Sequence, residues 1–157
     1  MRCWHYTIFE NAKGIIVSGE ILPTGILAEH IDIPGVWLST NPVWEETVRK
    51  VLTVPETGEL TPELPRDELF KRGFPSVRIE IDPTLVPIHS WEDHKRITAM
   101  PREFAESIEK TGREWGGNPK EWYVSYKAIA LTSCFQPMEI WNGKEWVNIE
   151  TLFTKKE

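Results

Sequence analysis

Eight tryptophans in a chain of 157 residues set the first constraint on the fold. Rings of that size supply large apolar surfaces, and most of them belong in a core. They are spread among twelve prolines and ten glycines. The chain must therefore bury its aromatic rings using short elements joined by many loops. Its length is close to the common size of one domain and is enough for one hydrophobic core. With 40% apolar and 27% charged residues, the composition is that of a globular protein rather than a disordered one.

The net charge of −6 and the pI of about 5.3 argue against a broad basic face for duplex DNA or RNA, although a local patch could survive. Cys3 and Cys134 form neither a metal-ligand spacing nor a disulfide framework, and two reduced core thiols are expected. The histidines at 5, 30, 89 and 94 make no metal spacing with one another or with a cysteine, so no metal is expected. No apolar stretch follows Met1–His5, and no run approaches the ~18 residues of a membrane helix, so the expected location is cytoplasmic.

Along the chain, 2–6 is short and aromatic and reads as a strand. Thr7 and Glu10 have the spacing of a capping box, which predicts a helix with Ile8, Phe9, Ala12, Ile15 and Ile16 on one stripe and Gly19 as its stop. That would put His5 and Tyr6 at a strand–helix junction. Residues 35–40 read as a buried strand ending in the hydroxyls Ser39 and Thr40. Asn41-Pro42 then suggests a short helix over 43–51. Pro, Glu and Thr over 55–66 predict a long surface loop. Period-two alternation marks 76–81 as a strand. Ser90 with Asp93 marks a helix start, and 101–110 reads as an amphipathic helix closed by Gly112. A loop over 112–120 leads to a strand over 121–127. Two final strands flank Asn142-Gly143, close to a type I′ hairpin signal. No repeat or linker interrupts this order, and the fold class is α+β in one domain.

Two placements stand out from the residues alone. His5 lies where a strand holds a polar side chain beside backbone groups; it reads either as a ligand contact or as a ring packed between aromatic neighbours. Glu121 opens a strand beside Trp122 and Tyr123. A carboxylate desolvated there could stabilise a cation or accept a proton, or it could be an ordinary strand-end glutamate. Ser39 and Thr40 read as ligand-binding hydroxyls or as turn formers. The other three histidines read as surface residues.

Taken in order, three segments resemble the ADP-ribosyltransferase superfamily. Trp4-His5-Tyr6-Thr7, with Phe9-Glu10-Asn11 and the run from Ile15 to Ile21, is similar to the opening motif of DarT-type and related bacterial transferases. Val36-Trp37-Leu38-Ser39-Thr40-Asn41-Pro42 resembles the second motif, a strand ending in Ser or Thr. Lys120-Glu121-Trp122-Tyr123-Val124, with Ile129 and the strand at Glu139-Ile140, resembles the third, a glutamate-bearing strand leading to a paired final strand. The resemblance implies a compact domain with a mixed or antiparallel split sheet and helices packed against it. It also implies NAD as substrate and no metal. His5 would bond a ribose hydroxyl, the Tyr6 backbone would hold the nicotinamide amide, and Thr7 belongs to the same motif. Ser39 and Thr40 would shape the nicotinamide-ribose pocket, with Trp44 or Trp37 available for stacking. Glu121 would be catalytic, binding the 2′-hydroxyl and stabilising an oxocarbenium-like transition state.

Arginine-modifying members carry Glu or Gln two residues before the catalytic glutamate. Here that residue is Pro119, which argues against arginine as acceptor. The loop bearing Arg113, Trp115 and Asn118 lies where the family reads its target; Trp115 could contact a base or a protein side chain, or simply pack. The expected function is transfer of ADP-ribose to a macromolecule, protein or nucleic acid, in a setting of toxin or phage–host conflict with a cognate antitoxin or inhibitor as partner. Two alternatives are a NAD glycohydrolase and a non-catalytic nucleotide- or protein-binding module on the same fold. The RNA 2′-phosphotransferase branch is disfavoured because no basic cluster for a phosphate is evident.

Overall fold

The structure is a computed structural model describing residues 1–24 and 33–152. Its strands are β1 (Cys3–Ile8), β2 (Glu20–Ile21), β3 (Val36–Ser39), β4 (Ser76–Ile81), β5 (His89–Ser90), β6 (Trp122–Ser125), β7 (Ile129–Ala130), β8 (Glu139–Trp141) and β9 (Trp146–Asn148). The helices are α1 (Phe9–Ser18), α2 (Arg66–Lys71), α3 (Trp91–Ile97) and α4 (Arg102–Glu114). Seven strands form one antiparallel sheet in the order β5-β6-β3-β1-β4-β8-β9, and β2 pairs with β7 apart from it. The α+β class follows directly. Among the described residues, no helix is long and apolar enough to cross a membrane.

Alternation along the strands gives the two faces of the sheet different chemistry. Cys3, Leu38, Val77, Ile79, Ile81 and Ile140 point to an aliphatic core that takes in Ala12 of α1 and Ile21 and Ile129 of the small sheet. The opposite face is aromatic. Trp4, Tyr6 and Trp44 form one cluster there, extended by Trp146, and Trp91 and Trp122 form another with Trp37 against them. Trp141 joins through Trp146, ring centroids 5.5 Å apart. The tryptophan-rich composition thus becomes one aromatic layer on a single side of the sheet.

Several expected boundaries move. β1 runs on to Ile8, so Thr7 is a buried strand residue and no side chain caps α1. Six register pairs with β4, from Cys3 opposite Ile81 to Ile8 opposite Ser76, outweigh the capping signal. Thr7 Oγ1 instead accepts from Asn11 Nδ2 at 3.2 Å, and Phe9 N–H donates to the Pro75 carbonyl at 2.9 Å. Gly19 does stop α1, in the left-handed region at φ 78°. The expected helix over 43–51 is absent. Asn41 Oδ1 accepts from Val43 N–H at 3.0 Å as a cap would, but Trp44 and Glu45 then turn into buried positions and the helix does not propagate. In the segment expected as loop, Leu60 pairs with Thr53 just before it and Leu64 with Lys50, and α2 begins at its last residue, Arg66.

Ser90 caps α3 as expected, accepting from Asp93 N–H at 3.1 Å. α4, however, passes through Gly112 instead of ending there. A Cβ at Gly112 would lie 2.5 Å from the Trp122 ring, so this glycine permits close packing rather than a turn. The last hairpin has Trp141 opposite Trp146 and a four-residue loop, in which Asn142 Oδ1 accepts from Lys144 and Glu145 N–H at 2.9 Å each. The two-residue turn is therefore not formed.

Candidate functional site

The three strands that carry the singled-out motifs lie side by side, β1 next to β3 and β3 next to β6. They come from residues near 5, 38 and 122, so the fold brings together what the sequence holds apart. The contact between β1 and β3 is unlike the others. The two strands share one register pair, Trp4 opposite Ser39, whereas β1 and β4 share six. Past that pair the sheet opens into a seam, and His5 spans it: its Nδ1 lies 2.9 Å from the Trp37 carbonyl oxygen.

A carbonyl only accepts, so Nδ1 carries the proton and Nε2 presents a lone pair. Burial, the main cause, and the charge of Lys50 lower the ring's pKa from 6.5 to about 4, against the opposing pull of the Trp37 carbonyl. The ring is therefore neutral at physiological pH, and its free nitrogen can only accept from a hydroxyl or an amide.

Glu121 ends a 3-10 turn spanning Pro119–Glu121, one residue before β6. Asn118 caps the turn, its Oδ1 accepting from Lys120 N–H at 3.1 Å. Thr40 N–H donates to the Glu121 carbonyl at 3.0 Å, continuing the β3–β6 register beyond Ser39 opposite Trp122. Thr40 and Glu121 are thus neighbours at the end of the two strands. Burial first, and the charge of Glu45 second, raise the Glu121 pKa above the usual carboxylate value. Strand spacing puts the His5 and Glu121 backbones on the order of 12 Å apart, so a ligand rather than a direct bond would join them.

Three other candidates lie elsewhere. Ser39 shares a row with Trp4 and Trp122, on the face opposite His5, and its Oγ donates to Glu45 at 2.7 Å. Trp44 is 3% exposed within the aromatic layer, edge-on to Tyr6 at 5.2 Å. The Tyr6 side chain occupies that layer as well, its hydroxyl donating to the Asn41 carbonyl. Its backbone pairs with Arg78 of β4, and no register pair continues on the β3 side. Ser39, Trp44 and the Tyr6 ring are framework on the far face, not lining of the seam. Trp37, the other stacking candidate, is half-buried edge-on to His94, ring centroids 5.0 Å apart.

Glu45, which the motifs did not single out, organises this end of the sheet. It is 5% exposed and accepts from Ser39 Oγ and Thr47 Oγ1 at 2.7 Å each and from Trp122 Nε1 at 3.2 Å. Polar hydrogens rather than a cation hold this buried carboxylate. The one signal in the sequence was its place four residues after Asn41 with Thr47 two further on, a spacing shared by many surface turns. The preceding loop is fixed from the other half of the sheet. Tyr6 and Arg78 donate to the Asn41 and Pro42 carbonyls, while Trp146 Nε1 at 2.8 Å and Arg66 at 3.3 Å donate to that of Val43.

The expected recognition loop is largely ordered into α4 and its exit. Arg113 lies on α4, 3.8 Å from Glu109, and Trp115 carries the Arg49 guanidinium 4.7 Å over its ring. Arg113 and Lys120, with Trp91, Glu92 and Glu109, line a cleft of about 260 Å³ on the flank of the Glu121 turn. Among the described residues, no group of three His, Cys, Asp or Glu could hold a metal ion. His89 stacks on Tyr126, and His94 is fully buried with Nδ1 2.7 Å from the Tyr126 hydroxyl, so neither is the surface residue expected; His30 lies outside the described residues. Comparison with known proteins finds no matching family model, curated protein or solved structure.

Proposed function

We propose that the seam between β1 and β3, with the adjoining ends of β3 and β6, is a nucleotide site, in which His5 lies in the seam and Glu121 across β3 from it. The neutral, acceptor-only Nε2 of His5 suits a ribose hydroxyl. Glu121, partly desolvated beside the end of β3, suits a developing positive charge.

Within that class, the protein is read as an NAD-dependent ADP-ribosyltransferase acting on a macromolecule. The observation that carries this reading is the side-by-side placement of the three strands bearing the resembling motifs. In the reaction, the bond between nicotinamide and ribose C1′ breaks and nicotinamide leaves with the electron pair. The ribose develops oxocarbenium character beside Glu121, and an acceptor nucleophile bonds to C1′ and loses its proton. The cleft flanked by Arg113 and Lys120 offers the acceptor an approach from the Glu121 side.

Incubation with labelled NAD and cell lysate tests the reading. Transfer of label to protein or nucleic acid is expected, with nicotinamide released. Glu121→Ala should cut release about 100-fold or more, by loss of a charge-stabilising group. Release without labelling would identify a glycohydrolase. Equal release by wild type and Glu121→Ala would overturn the assignment of Glu121. Binding of NAD without release would leave a nucleotide-binding module.

A further inference from the structure

We propose that Glu45 is a positioning residue for Glu121, its buried carboxylate setting where the start of β6 stands against the end of β3. This deepens the reading above and rests on it for what Glu121 does. The carboxylate works through one register pair. Ser39 of β3 donates its hydroxyl to one Glu45 oxygen at 2.7 Å, and Trp122 Nε1, from the residue opposite Ser39 on β6, donates to the other at 3.2 Å. The next step along the same register brings Thr40 to Glu121, the Thr40 N–H donating to the Glu121 carbonyl at 3.0 Å. Glu45 thus clamps the two strands one residue from Glu121.

The chain on either side is held by the same group. Ser39 Oγ also accepts from Asn41 N–H at 3.1 Å, so the residues before and after Thr40 are both tied to it. On the β6 side, a Cβ at Gly117 would lie 3.2 Å from Glu45 Oε1, so the chain touches the carboxylate two residues before the Pro119–Glu121 turn. Thr47 anchors Glu45 itself, its N–H and hydroxyl donating at 3.2 and 2.7 Å. Donors from both strands and from Thr47 therefore share two oxygens. A glutamine has a single acceptor oxygen and could accept from one strand only, which is why this place calls for a carboxylate despite the cost of burying it. After burial, the Glu45 charge is also the second cause that raises the Glu121 pKa.

The test uses the full chain and compares wild type, Glu45→Ala, Glu45→Gln and Leu69→Ala. Leu69 is fully buried in a separate cluster with Ile8 and Leu64, so its variant controls for loss of stability alone. Hydrogen exchange of the Thr40 amide, read by NMR under native conditions, reports the bond to Glu121 without any substrate. It should quicken about tenfold or more in Glu45→Ala, less in Glu45→Gln and least in Leu69→Ala. Equal exchange in wild type and Glu45→Ala, or equal quickening in Glu45→Ala and Leu69→Ala, overturns the proposal. If Glu45→Ala does not fold, Trp122→Phe, which keeps a ring and removes the indole donor, decides by the same comparison.

Nicotinamide release measured in parallel separates the two ideas. Misplacement of Glu121 should lower kcat about tenfold or more in Glu45→Ala, while the KM for NAD holds within about twofold. Quickened Thr40 exchange with no release by wild type keeps the positioning role and removes the transferase reading. Release with the same kcat in wild type and Glu45→Ala removes the positioning role and keeps the transferase reading.

Discussion

A carbonyl oxygen cannot donate a hydrogen bond, and at His5 this decides the state of the ring. Nδ1 holds the proton toward Trp37, and burial keeps the ring neutral down to about pH 4. The unfolded chain would protonate the same histidine near pH 6.5. Below that pH the unfolded state binds more protons, so this contribution to stability is complete above pH 6.5 and is lost as the pH falls toward 4. Urea unfolding at pH 7.5 and 4.5 should show a decline in wild type that His5→Gln reduces, by no more than about 3 kcal/mol. An unchanged slope would refute the depressed pKa. A second residue-scale expectation concerns Glu45. Replacement by Ala leaves the Ser39 hydroxyl, the Thr47 hydroxyl and the Trp122 indole N–H without their acceptor, and should cost about 2–4 kcal/mol in the same assay. Residue types alone distinguished His5 but not Glu45. A strand histidine among aromatics is uncommon, whereas a glutamate in a polar turn reveals nothing of its burial until distant Trp122 is packed over it.

At the scale of elements, period-two alternation located β4 and hydroxyl-to-carboxylate spacing located α3, because both signals are local and the tertiary structure agrees with them. The failures share one cause. Thr7 was drawn into β1 by pairing with β4, Gly112 was kept helical by contact with Trp122, and 43–51 was diverted by burial of Trp44 and Glu45. Long-range packing overrode a local preference each time. Two measurements follow. Gly112→Ala should destabilise by about 1–3 kcal/mol, because the added methyl meets the Trp122 ring, although alanine favours an isolated helix. A gain in melting temperature would contradict the packing. Hydrogen exchange should find the amides joining β1 to β4 better protected than those facing the seam with β3, reflecting six register pairs against one.

For the whole molecule, composition indicated a globular chain and the order of helix and strand signals an α+β fold, and the sheet bears out that class. The gathering of tryptophans on one face was not legible, since it depends on which strands become neighbours. The cysteines are a further whole-molecule matter. Cys3 and Cys134 sit on either side of Ile81 in adjacent pairings, about two strand spacings or roughly 10 Å apart, beyond the ~7 Å that a disulfide spans. Burial raises the pKa of both thiols to about 11. Thiol titration should find both slow to react in the native state and both free in denaturant, with or without prior reductant.

The seam itself has a topological side. On one bank lie β3, β5 and β6, and on the other β1, β4, β8 and β9. The polypeptide passes from bank to bank between β1 and β3, β3 and β4, β4 and β5, and β6 and β8. The line along which the sheet is least hydrogen-bonded is thus laced by four crossings of the backbone. Neither bank is a continuous stretch of sequence, and neither could be expressed as an independent piece. The two banks should therefore be lost together on heating, in one transition seen alike by near- and far-ultraviolet circular dichroism.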